Sequence, residues 1–336
     1  MKRVFLGLLS SLLLLALLAG VLVWDGRTQL HAPLEITEHR TLELAPGSRL
    51  RDVLEQMRAD GLFTHHRQSL YLELWARATG EAVRIKAGEY ALDPGLSSLD
   101  LLALMVGGKT VLHELRLIEG IRFDQALKLV AGHAQLVHTL GDLRAETVMA
   151  AIGQPGMHPE GRFFPDTYRF PKGTTDVAIL RQAYMAMTRA LDETWAQRVP
   201  ELPYARPDDA LIMASIVEKE TGLAAERERI AGVFVRRLKL GMRLQTDPTV
   251  IYGIGETFDG NLRKRDLLED GPYNTYQRTG LPPTPICLPG RDALRAAVNP
   301  APGTELFFVA RGDGSHQFST TNEEHETAVR KFQLGQ

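Results

Sequence analysis

The strongest constraint on this chain is a run without a single charged residue, Val4 to Trp24, dominated by leucine and preceded by Lys2 and Arg3. About 20 apolar residues in a helix cross the hydrocarbon core of a bilayer, so the run predicts a membrane-spanning helix. A cleaved signal peptide is the competing reading. Leu18-Ala19-Gly20 lies inside the run rather than after it, and no lipobox cysteine is present. A retained anchor is therefore the expectation. The positive-inside rule then puts Lys2 and Arg3 in the cytoplasm and everything after Asp25 outside.

The rest of the chain has the composition of a folded protein. Hydrophobic residues are 44% and charged residues 24% of the 336 positions, which argues against general disorder. The formal net charge of -2 gives no electrostatic case for a nucleic-acid partner. With Cys287 as the single cysteine, neither an intramolecular disulfide nor a cysteine-based zinc site can form.

The chain reads as 1–25 (cytoplasmic tip and anchor), 26–38 (a polar linker), 39–108 and a following stretch, with the last region opening near Glu160. Two stretches share one pattern, an alternating strand, a glycine turn and an amphipathic helix: Leu42 to Leu54 across Gly47, and Leu115 to Leu127 across Gly120. Further helices at about 68–78 and 98–105 and a strand near Tyr90 make 39–108 a small α+β module. Region 109–155 reads as a connecting strand-helix unit. From Glu160 the sequence turns aromatic, then helical at about 176–198, 208–221 and 224–239. Arg243 to Pro289 is rich in proline, glycine and polar residues, the composition of loops that carry function. A helix near 291–298, a hairpin joining 306–310 to 316–319 and a terminal helix complete the chain. The fold class expected is α+β.

The segment Pro207 to Gly222 carries the residue on which the functional reading turns. Asp208 is a candidate N-cap and Gly222 a candidate C′ residue. Leu211 to Val217 is apolar nearly all round, as in a buried helix. Glu218 ends that run on the face of Leu211 and Ala214. Desolvation and the negative end of the helix dipole both raise the pKa of such a carboxyl, as a general acid requires. The plainer reading pairs Glu218 with a lysine or arginine that closes the helix. Glu220 is the rival, ~200° around the helix, so the two cannot readily flank one bond. A two-carboxylate hydrolase would need its second carboxyl from elsewhere, with Asp247 as the candidate. Glu226 and Glu228 alternate with arginines and read as a solvated face.

Sugars present hydroxyls, acetamides and apolar ring faces, which planar polar and aromatic side chains recognise. Gln245, Thr246, Asp247, Tyr273, Asn274, Thr275 and Tyr276 supply both kinds in two loop segments. Other chemistries fall away. His325-Glu326 lacks the second histidine of a zinc protease motif, no phosphate loop occurs, and Ser215 with Lys219 does not fit the S-x-x-K pattern.

Taken together, Ala214-Ser215-Ile216-Val217-Glu218-Lys219-Glu220-Thr221, the run Gly241 to Gly253, Tyr273-Asn274-Thr275-Tyr276 with Gly280-Leu281-Pro282-Pro283, and Glu160-Gly161 with Phe163 to Tyr168 closely resemble the YceG-like family of endolytic murein transglycosylases. The resemblance covers nearly the whole chain. Arg162 stands where the family often has an aromatic residue, and Pro282 to Cys287 differs from the usual loop. The resemblance implies a LysM-like module at about 39–108 and a mixed α/β catalytic domain from about 156, which places the boundary between 109–155 and 156–336. It implies Glu218 as the catalytic acid. It also implies a lytic cut between N-acetylmuramic acid and N-acetylglucosamine that leaves a 1,6-anhydro end and limits strand elongation. A single-pass inner-membrane protein with its bulk in the periplasm, peptidoglycan synthases as neighbours, and no metal or organic cofactor complete the expectation. A non-catalytic glycan-binding scaffold and a two-carboxylate muramidase are the alternatives.

Overall fold

The computed structural model describes residues 2–335, with side chains from Phe5 onward; the expectation for Lys2 and Arg3 rests on side chains outside that range. The chain divides into two compact units, Met1–His113 with Phe170–Gly173, and Glu114–Arg169 with Thr174–Gln336. Among the described residues every sheet is a two-stranded pair. The class is α+β, built from helices and short ribbons rather than from a layered parallel sheet.

The first unit opens on helix α1 (Lys2–His31). From Phe5 to Trp24 every residue of α1 is exposed and none is charged, so the helix is long and apolar enough to cross a membrane. The stretch 26–38, expected as a linker, is something else. Helix α1 continues without a break through Asp25 to His31, and Leu30, Leu34 and Ile36 enter the core of the unit. Asp25 Oδ2 accepts from the Tyr71 hydroxyl at 2.8 Å and from Arg67 at 3.0 Å. A Cβ added at Gly26 would lie 3.2 Å from the Tyr71 ring. Polar composition concealed three well-spaced apolar residues.

Strand β1 (Arg40–Leu44), helices α2 (Leu50–Ala59) and α3 (His66–Ala78), strand β2 (Gly88–Leu92) and helix α4 (Ser98–Gly107) follow. β1 and β2 pair antiparallel with Leu42 opposite Tyr90, so alternate residues of both strands face the core. Leu50, Val53, Leu54 and Met57 form the buried stripe of α2. A capping box starts α4. The Asp100 N–H donates to Ser97 Oγ at 3.2 Å, and the Ser97 N–H donates to the Asp100 carboxylate at 3.1 Å. The buried Tyr90 hydroxyl donates to the Lys86 carbonyl at 2.7 Å. Tyr90→Phe removes that hydrogen bond and is expected to cost about 1 kcal/mol, read as a lower denaturation midpoint at unchanged slope.

The second unit contains helices α5 (Phe123–Ala131), α6 (Ala145–Ala151), α7 (Asp176–Ala196), α8 (Pro207–Glu220), α9 (Arg227–Lys239), α10 (Asp247–Ile254), α11 (Lys264–Leu268), α12 (Arg291–Val298) and α13 (Asn322–Val329). Strands β3 (Leu112–Arg116) and β4 (Thr167–Pro171) pair, and β5 (Phe307–Ala310) pairs antiparallel with β6 (His316–Ser319) as expected for the terminal hairpin. Residues 114–155, expected as a connector, belong to this unit.

Helix α8 is the axis of the second unit. Leu211 to Val217 are all buried, against α7, α9, α10 and α12. Its start differs from expectation. Arg206, not Asp208, is the N-cap, Pro207 occupies the first turn, and Asp209 accepts from the Arg206 N–H. Asp208 instead pairs with Arg162 at 2.7 Å. The loop region expected over Arg243 to Pro289 is partly helical. Asp247-Pro248 opens α10, because proline at a first turn forfeits no hydrogen bond.

Candidate active site

The end of α8 presents two half-buried glutamates to different surroundings. Glu218 Oε2 accepts from the Gly290 N–H, at the N-cap of α12, at 2.9 Å. Arg227 lies 4.0 Å from the other oxygen and also reaches Asp292. Burial raises the Glu218 pKa; the Gly290 N–H and Arg227 oppose that rise, while Glu119 and Asp292 add to it. Glu218 thus sits at the seam between α8 and α12.

Glu220 faces a different set. The Thr246 hydroxyl donates to its Oε1. Burial pushes its carboxyl up to about 7; the Thr246 hydrogen bond and His316 oppose the rise, and Asp247 reinforces it. Glu220 lines a cleft of about 450 Å³ together with Gln245, Asp247, Tyr276, Arg237 and His316. The Tyr276 hydroxyl donates to Asp247 Oδ1 at 2.5 Å. A proton donor near neutrality, a second carboxylate, an amide and a phenol therefore share one concave surface.

The residues read as sugar-binding thus divide. Gln245, Asp247 and Tyr276 line the Glu220 cleft. Thr246 and Thr275 are buried beneath it, where the Thr246 N–H donates to Thr275 Oγ1 at 3.1 Å. Asn274 is buried and ties a loop together through its Nδ2, which donates to the carbonyls of Asp266, Leu267 and Glu269. Tyr273 packs edge-on against Tyr252, with 4.9 Å between ring centroids. Tyr273 and Asn274 line a separate cleft of about 880 Å³ beside α10. Among the described residues, none of these forms a hydrogen bond or ion pair with Glu218.

Several groups carry the site without having been picked out in the sequence. Arg237 is buried beside Phe307, and burial lowers its pKa. Glu226, expected on a solvated face, is buried and accepts from His316 Nδ1 at 2.7 Å and from the His316 N–H at 3.1 Å. The hairpin residue that buries it lies 90 positions away, so local charge alternation gave the wrong face. Arg237 had one local signal, its place at the end of the apolar run Ile230 to Val235.

Glu160 is a third perturbed carboxyl. It is 4% exposed, accepts from the Phe123 N–H at 3.0 Å and from the Tyr252 hydroxyl at 3.2 Å, and burial pushes it up to about 7. Folding therefore retains protons at Glu160 and Glu220 that an unfolded chain, with carboxyls near 4.5, has released. Their contribution to stability is full below about 4.5 and is lost as pH rises through about 7. The melting temperature is expected to fall by several degrees from about pH 5 to about pH 8. Glu160→Gln removes one titration at constant shape and should flatten that fall in calorimetric scans across pH.

The YceG-like family matches residues 42–331 of this chain. An endolytic murein transglycosylase of Bacillus subtilis (strain 168) is 30% identical over 308 residues, spanning 87% of this chain and 84% of the relative. An endolytic murein transglycosylase of Streptococcus pneumoniae serotype 2 is 27% identical over 328 residues, spanning 86% of this chain and 57% of that longer protein. A crystal structure of a yceG-like protein from Listeria monocytogenes is 28% identical and superposes with a TM-score of 0.55, covering 87% of this chain and 99% of the other.

Proposed function

This chain belongs to the YceG-like family, and on that premise we propose that it is an endolytic murein transglycosylase whose acid is Glu220. The observation that carries the assignment is the company Glu220 keeps: a carboxyl pushed up to about 7 in a cleft that also holds Gln245, Asp247 and Tyr276. A group that titrates near the working pH can both give and take a proton.

In this reading Glu220 donates its proton to the oxygen linking N-acetylmuramic acid C1 to N-acetylglucosamine. The C1–O bond breaks and positive charge develops at C1. The Glu220 carboxylate then takes the proton of the muramyl 6-hydroxyl, and that oxygen closes onto C1. The product is a 1,6-anhydro end, no water is consumed, and Glu220 is again protonated. One carboxyl serves both steps, and the Thr246 hydroxyl stabilises it while it is ionised. By resemblance, the chain sits in the inner membrane on α1 with its bulk in the periplasm, shortens nascent strands and works beside peptidoglycan synthases, and residues 39–108 form a LysM-like module.

Two further readings have specific support. Glu218, the acid expected from the sequence, is itself half-buried with a raised pKa, with the Gly290 N–H donating to one oxygen and Arg227 4.0 Å from the other. A hydrolytic, two-carboxylate mechanism is supported by Asp247 in the Glu220 cleft. The deciding experiment incubates the full chain in detergent with purified peptidoglycan in ¹⁸O-labelled water and identifies the new ends by mass spectrometry. Unlabelled 1,6-anhydro ends are expected. Labelled reducing ends would replace the lytic reading with the muramidase. Binding without new ends would leave a glycan-binding scaffold.

A further inference from the structure

Gln245 has a φ of +54°, and among the described residues only Glu201 is another non-glycine residue with positive φ. A side chain as long as glutamine rarely adopts this left-handed state, and it persists only where the surroundings enforce it. Three contacts enforce it here. The Gln245 N–H donates to the Thr275 carbonyl at 3.1 Å, the next N–H is held by Thr275 Oγ1, and Gln245 Oε1 accepts from Arg237 Nη1 at 3.1 Å. Arg237 is itself immobilised, donating to the carbonyls of Leu306 at 2.6 Å and Leu244 at 2.9 Å.

A guanidinium has donors and no acceptor. Only the amide oxygen of Gln245 can face Arg237, so its NH2 is turned away. No acceptor among the described residues takes that NH2, and Gln245 is exposed and lines the cleft. The backbone strain and the buried arginine thus present two N–H donors beside Glu220. Asp247, and Glu220 once it has given up its proton, disfavour an anionic ligand there, so the matching group is a neutral acceptor. On a murein strand the acetamido carbonyl is a strong neutral acceptor that carries no competing donor on its oxygen.

We propose that Gln245 is a specificity residue whose NH2 donates to the carbonyl of a 2-acetamido group on the sugar bound beside Glu220, with Arg237 fixing the orientation of the amide. This rests on the glycan-cutting reading. The experiment compares full chain, Gln245→Gly and Gln245→Glu in detergent on native strands, on chemically de-N-acetylated strands and on the same strands re-acetylated. Glycine tolerates the left-handed state, so Gln245→Gly should melt no lower than the parent. Its cleavage of N-acetylated strands should fall about tenfold, the order of one lost hydrogen bond. The parent should discriminate between the preparations and both variants should not; glutamate still accepts from Arg237 but has no donor to offer.

A clearly lower melting temperature for Gln245→Gly, an undiminished rate, or an equal loss on both preparations would overturn the proposal. Sedimentation of Glu220→Gln protein, with and without Gln245→Gly, on the same preparations reads the acetamide contribution as binding alone. If Glu220→Gln still cuts, the assignment of the acid fails while this comparison stands.

Discussion

Glu220→Gln is expected to lower strand cleavage by about 10²- to 10⁴-fold, the usual contribution of a general acid and base, with an unchanged fold. Glutamine keeps an oxygen to accept the Thr246 hydroxyl but has no proton to give. Glu218→Gln should stay within about tenfold, because a glutamine oxygen can still accept the Gly290 N–H at the start of α12, and the net value of one such bond is small. The two variants differ by two positions in the chain, so the contrast tests orientation rather than proximity. Rates of end formation should accompany melting temperatures for both. If instead Glu218→Gln abolishes cleavage and Glu220→Gln does not, the acid moves to the α8–α12 seam. The parent rate should also decline as pH rises through about 7, where Glu220 loses its proton.

The largest expected loss of stability follows from Gly161→Ala. Gly161 has φ +77°, and a Cβ there would lie 2.5 Å from Pro285 Cβ and 2.6 Å from Pro285 Cγ. Backbone strain and overlap act together, since a left-handed alanine is unfavourable and a proline ring cannot swing aside. The combined cost is about 2–5 kcal/mol, read from denaturant unfolding of the full chain. A near-neutral result would mean that the 282–287 loop shifts freely. Glu160 is the preceding residue, so the variant should also disturb its hydrogen bonds to Phe123 and Tyr252.

Much of this architecture was legible because it depends on neighbours in the chain. The burial of Leu211 to Val217, the terminal hairpin and the stripe of α2 follow from periodicity, and the long apolar helix α1 from its charge-free run. What was not legible depends on distant partners. The different surroundings of Glu218 and Glu220 are set by Gly290 on one side and by Thr246 and His316 on the other, and no local pattern records which glutamate meets which. Glu226 looked solvated until His316 covered it. Asn274 and Thr275 sit in one short motif, yet the first braces a loop and the second supports the floor of the Glu220 cleft, a distinction made only by tertiary packing. The 26–38 stretch shows the opposite error, in which an overall polar composition outweighed Leu30, Leu34 and Ile36.

The unbroken passage of α1 from its apolar stretch into the Tyr71 seam has a rotational consequence. An α-helix advances about 1.5 Å and turns about 100° per residue, so the azimuth at which Gly26 and Leu30 meet their partners is phase-locked to the direction in which each leucine of the stretch points. Were the apolar stretch seated in a bilayer, one alanine inserted between Trp24 and Gly26 would barely change the height of the first unit but would swing it through more than a quarter turn. Seven inserted residues, close to two full turns, would restore the heading while lifting the unit by about 10 Å. Attachment of this kind acts as a keyed shaft rather than a leash.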